Sequence, residues 1–148
     1  MGIHYEKDFY AWTQEQANLI RQGKFNEIDT LHIIDEIESM GRSEKRALKS
    51  RLAVLLMHLL KWQYQPTFRG VSWTITIRNQ RWEIAELLED NPSLQHWVTD
   101  TMLDAYKQAR LNAQTETALR LDTFPEECPW TVEQVVSNEF FPEWGCNP

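Results

Sequence analysis

Five side chains in the first half of the chain have the chemistry of a site: His32, Asp35, Glu36, Glu38 and His58. His32 and Glu36 stand four residues apart, which puts both on one side of a helix. An imidazole nitrogen and a carboxylate oxygen so placed could share a divalent metal ion. His58, from the next helix, is the third candidate ligand. With Glu38 as general base the set would be a metal-assisted hydrolase. The signal is thin, because the chain has four histidines and no paired Glu-x-x-His motif. A structural reading competes and is preferred. Glu38 falls nearest the apolar side of its helix, beside Leu31 and Ile34, where a carboxylate needs a partner such as Lys61, Arg51 or His58. His58 then becomes a hydrogen-bonded core histidine, and no metal or cofactor is expected.

Two further constellations carry binding chemistry rather than catalysis. Lys61-Trp62-Gln63-Tyr64-Gln65-Pro66 followed by Phe68-Arg69 crowds aromatics, amides and cations together. Lys61, Trp62, Tyr64 and Arg69 could wall an anion pocket, although Trp62 and Tyr64 equally suit the closing of a bundle's end. Ile75, Arg78 and Trp82 are the second set. An exposed Trp beside Arg has the composition of an interface hot spot, unless Phe140 to Trp144 covers it. Cys128, between Glu127 and Pro129, has no activating base beside it and reads as a buried thiol. No glycine-rich phosphate loop, nucleophile elbow or zinc-type pair occurs.

Charge is segregated. Arg42 to Arg81 contains nine Lys or Arg and one acid, Glu44, a net of +8, while the rest of the chain carries a net of −15, for −7 overall. Internal pairing with Asp35, Glu36, Glu38 and with Glu83, Glu86, Glu89 and Asp90 is the first reading. An acidic protein partner is the second. A nucleic acid, with Trp73 or Trp82 stacking bases, is the third.

Elements that could position these residues are helical. Leu48, Leu52, Leu55, Leu56 and Leu59 mark one helix face, and Val54, Met57 and Leu60 make the opposite side apolar as well. A helix apolar all round is wrapped by others, so residues 43–64 are expected to form a central post, capped by Ser43 and ended by Pro66. Before it, one helix is expected from about Lys7 to Arg21, with Tyr5, Phe9, Trp12, Gln16, Leu19 and Ile20 on one face and Gly23 as the stop. A second runs from the cap Asp29 to Met40, burying Ile33, Ile34, Ile37 and Met40, with Gly41 ending it. After the post, Ser72 caps a helix to about Asp90 with a core stripe of Trp73, Ile77, Ile84, Leu87 and Leu88. Another starts at Pro92 behind the cap Asn91 and buries Leu94, Val98, Met102, Ala105, Ala109 and Ala113. Thr123 to Pro129 is extended. Thr131 and Gln134 make a capping box for a last short helix to about Ser137. Phe140, Phe141 and Trp144 should pack on the bundle, and residues 142–148 form a loose tail.

Six segments in order bear a resemblance: DFYAWTQEQA (Asp8 to Ala17), DEIESMG (Asp35 to Gly41), LLMHLLKWQYQP (Leu55 to Pro66), SWTITIRNQR (Ser72 to Arg81), NPSL (Asn91 to Leu94) and FPEECPW (Phe124 to Trp130). Together they resemble the bacterial family of domain of unknown function 29, frequent in cyanobacteria, across about Tyr5 to Phe141. The resemblance implies an all-helical fold and no particular reaction.

The expectation is an all-α, single-domain bundle of about five helices spanning residues 1–148. At 42% hydrophobic, the chain can build a core. Two cysteines are too few for a disulfide scaffold, the apolar runs are too short to span a bilayer, and MGIHYEKDFY lacks a signal peptide's apolar region. A cytoplasmic interaction or regulatory module without catalysis is the preferred function, its partner another protein or a second copy.

Overall fold

A computed structural model describes residues 2–143; Trp144, Cys146 and the terminal Asn147 and Pro148, for which packing or fraying was expected, lie outside the described residues. The described residues form five α-helices: α1 (Phe9–Arg21), α2 (Thr30–Tyr64), α3 (Val71–Asp90), α4 (Val98–Thr117) and α5 (Val132–Val136). No strand occurs among the described residues. The chain divides into two compact units, the first ending at Ser43 and the second beginning at Glu44.

The first unit is a helical hairpin. Asp8 caps α1 by accepting from the amide of Ala11. At the other end Gly23 takes a left-handed φ of +75°. Its amide reaches the carbonyl of Ile20, and that of Lys24 reaches Leu19, the paired bonds of a helix stop that favours glycine. α1 then turns Trp12 and Gln16 onto the start of α2: the Trp12 indole donates to Asp29 and Gln16 Oε1 accepts from the Asp29 amide, at 3.1 and 2.7 Å. Of the face expected on α1, Trp12 and Gln16 are buried, Tyr5 and Leu19 half-buried, Phe9 and Ile20 exposed.

Two expectations fail in the following stretch. Gly41 does not end a helix, and Ser43 does not begin one; both lie inside the continuous α2. A mid-helix glycine costs only about 1 kcal/mol relative to alanine, and the Glu, Lys, Arg, Ala and Leu that follow are strong helix formers that offset it. The side expected to be buried is mostly open. Ile34, Ile37 and Met40 are 44%, 60% and 65% exposed, Leu31 is 77% exposed, and Ile33 is half-buried. Periodicity fixes which residues share a side; it does not supply an element to cover them.

The second unit holds the core. From Leu48 to Leu60, α2 is buried at Leu48, Leu52, Ala53, Leu55, Leu56, Met57, Leu59 and Leu60, as an all-round apolar helix should be. These residues form one cluster with Ile77 and Ile84 of α3, Val98, Met102, Tyr106 and the small Ala105, Ala109 and Ala113 of α4, and Val135 of α5. Phe140 and Phe141 pack against it, half-buried. Pro92 starts a 3-10 turn, Pro92–Trp97, ahead of α4. Neither Asn91 nor Ser72 caps with its side chain. The Asn91 amide donates back to the Leu87 carbonyl, and α3 begins at Val71 behind Gly70. The capping box of Thr131 and Gln134 forms on α5.

Candidate functional site

Pro66 has no N–H to continue α2 and restrains the residue before it. The chain therefore leaves the helix at Gln65, makes the 3-10 turn Pro66–Phe68, and re-enters a helix at Val71. On α3, Val71, Thr74, Ile75 and Arg78 follow at spacings of three, one and three, one helix face. That face, with Trp62 and Arg69, lines an open groove of about 460 Å³. The groove joins half of each binding set read from the sequence: Trp62 and Arg69 from one, Ile75 and Arg78 from the other.

Arg69 is locked in place. Its Nε donates to the Trp62 carbonyl at 2.7 Å and Nη2 to the Pro142 carbonyl at 3.5 Å, with the guanidinium 5.2 Å from the Trp62 ring centre. Arg78 is exposed and has no hydrogen-bond, ion-pair or ring partner among the described residues. Ile75 is 51% and Val71 75% exposed. What the groove offers is two guanidinium groups above an apolar floor.

The remaining members of those sets point elsewhere. Lys61 donates to Glu116 at 2.7 Å and lies 4.8 Å from the Trp73 ring. Tyr64 packs edge-on against Phe124, and burial raises its phenol pKa. Trp82 stays 62% exposed outside the groove lining.

The histidine and carboxylate candidates are distributed over both units. His58 is half-buried, and its Nδ1 lies 2.9 Å from the Val54 carbonyl one turn back. Burial lowers its pKa, and the bond to Val54 opposes that only in part. Glu38 is not buried: its side chain is 64% exposed and sits 3.7 Å from Arg42, one turn along the same helix. At its position toward the edge of the apolar side, water solvates the carboxylate, and no buried ion pair is needed. His32 and Glu36 belong to the hairpin. Nδ1 of His32 lies 2.7 Å from Asp29, its ring stacks on Tyr5 at 4.1 Å, and the Tyr5 hydroxyl donates to Glu36. The hydrogen bond to His32, helped by the Trp12 indole, holds the Asp29 carboxyl below its usual range despite desolvation. Among the described residues no three His, Cys, Asp or Glu side chains group so as to hold a metal ion.

Arg81 is the residue that sequence reading passed over. It is 2% exposed, with Nε donating to the Val135 carbonyl at 2.8 Å and Nη2 to the Phe140 carbonyl at 2.6 Å. Burial lowers its pKa to about 10, so it stays charged at neutral pH. The signal was present in the spacing. Arg81 stands four residues after Ile77 and three before Ile84, in the gap of that core stripe.

A family model for Domain of unknown function DUF29 matches residues 4–141. The chain belongs to the DUF29 family. No curated protein and no solved structure matches it. Membership fits the helical fold and assigns no chemistry to the groove or to the hairpin. No helix of the described residues is long and apolar enough to cross a membrane.

Proposed function

We propose that this DUF29 protein is a non-enzymatic helical interaction module of the bacterial cytoplasm that pairs with a second copy of itself through its N-terminal hairpin. One observation carries the reading: Leu31, Ile34, Ile37 and Met40 stand 44–77% exposed along the first turns of α2. Patches of this kind on a soluble chain mark interaction sites. A two-helix hairpin cannot enclose a core, whereas two hairpins complete a four-helix arrangement, and a two-fold pair is the commonest closed assembly. Charge order favours an antiparallel copy. Along α2 the acids Asp35, Glu36 and Glu38 precede the bases Arg42, Lys45 and Arg46, with Glu44 the one acid among them, so reversing one helix against another brings the acidic stretch of each toward the basic stretch of the other.

Light scattering behind size exclusion, over a range of concentrations, tests this. The expected result is a dimer that Leu31→Asp with Ile37→Asp converts to a monomer of unchanged helicity. Both residues are exposed, so the double variant leaves the core untouched. A monomer at every concentration, or a dimer indifferent to the two substitutions, overturns the proposal.

A further inference from the structure

We propose that the groove between the end of α2 and the start of α3 binds a small amphiphilic anion, its head on Arg78 and Arg69 and its chain against Trp62, Val71 and Ile75. Three observations support this site independently of self-association. First, the cations are placed and available. Arg69 uses two of a guanidinium's five donors to hold itself against the Trp62 and Pro142 carbonyls, and its other donors have no partner among the described residues. Arg78 commits none of its donors to a described residue, although the chain has 22 acidic residues to offer. Glu83, the nearest acid that follows on α3, is directed to Arg51 at 3.4 Å.

Second, the floor is apolar and exposed. Val71 and Ile75 lie open beside the Trp62 ring, so an alkyl or aryl body removes their surface from water while its head stays on the arginines. Third, the size is right: about 460 Å³ falls within the range that small-ligand sites occupy. Two guanidinium groups exclude a metal cation. A nucleic-acid strand needs a track of several phosphate contacts, and two cations in a short groove supply only the start of one. A carboxylate and a phosphate monoester share the required head, since both take paired N–H donors from arginine.

Titrating the ¹⁵N-labelled full chain separately with hexanoate, hexyl phosphate and hexanol tests the site by NMR. Expected are saturable shifts of the Trp62 indole and the Gly70, Val71 and Arg78 amides with at least one anion, and none with hexanol. The tighter of the two anions identifies the head group. Arg78→Gln, at an exposed position that leaves the fold intact, should weaken binding at least about tenfold, the loss of one charge-assisted contact. Ile75→Asn should weaken it as well, with the spectrum elsewhere unchanged. Absence of shifts with both anions, equal shifts with hexanol, or unaltered affinity in Arg78→Gln overturns the proposal.

Discussion

Arg81 carries a guanidinium into a core of leucines and isoleucines, and what it meets there is backbone. By donating to the carbonyls of Val135 and Phe140 and lying 5.3 Å from the Phe141 ring centre, it ties the C-terminal segment to α3. Among the described residues no carboxylate pairs with it, and its buried Nη1 has no hydrogen-bond partner there. Replacing it with leucine leaves two inward-facing carbonyls without donors, which should cost about 3 kcal/mol. Urea unfolding measures that loss, and limited proteolysis should cut the segment after Val135 sooner than in the parent chain. A stability unchanged within error would show that the two bonds contribute nothing net. His58 makes a prediction of the opposite kind. Its folded pKa is below the unfolded 6.5 because burial disfavours the imidazolium. Above pH 6.5 both states are neutral and its contribution is full. As pH falls below 6.5 the unfolded chain binds the proton first, so stability declines until the folded pKa is passed. His58→Gln should flatten that part of the urea-midpoint profile against pH.

At the scale of elements, two glycines that look alike in sequence play opposite parts. Gly23 has a positive φ, where a Cβ is strained, so Gly23→Ala should destabilise by about 1 kcal/mol. Gly41 sits in ordinary helix with nothing within 4 Å of where a Cβ would stand. Gly41→Ala should therefore stabilise by about 1 kcal/mol, raising Tm by roughly 2–4 °C. Calorimetry of the pair checks both signs at once. Sequence reading took both for helix stops because a glycine after an amphipathic run is the standard signal. It is right at Gly23, where turn and bend residues follow, and wrong at Gly41, where a second helix-forming run begins at once. The same limit explains Pro92: proline marks a helical start correctly but does not specify that the first turns are 3-10.

At the scale of the molecule, net charge and exposed apolar surface organise the expected behaviour. Of the basic residues from Arg42 to Arg81, three pair with acids among the described residues: Arg42 with Glu38, Arg51 with Glu83 and Lys61 with Glu116. Internal neutralisation is therefore partial, and Lys45 lies over the Trp97 ring at 3.8 Å instead. Exposed ion pairs such as Arg42 with Glu38 contribute under about 1 kcal/mol, so raising salt should scarcely move the unfolding midpoint of the monomeric Leu31→Asp, Ile37→Asp double variant. If the antiparallel pairing of α2 holds, the same salt should weaken the dimer measurably, because charges of opposite sign meet across it. Sedimentation equilibrium at low and high salt, beside a urea midpoint at each, separates the two effects.

The sequence alone determined that the chain is helical, where most helices lie, and that Leu48 to Leu60 is its greasy centre, because a run apolar on every side has no other way to leave water. It also held the residues of the groove, though divided between two sets. Only the tertiary structure decided that Trp62 and Arg69 meet Ile75 and Arg78, since a turn at Pro66 folds one helix end beside the next helix start. It also decided that Arg81 points inward while Ile37 points out. A periodic pattern assigns residues to faces; which face another element covers is settled by packing.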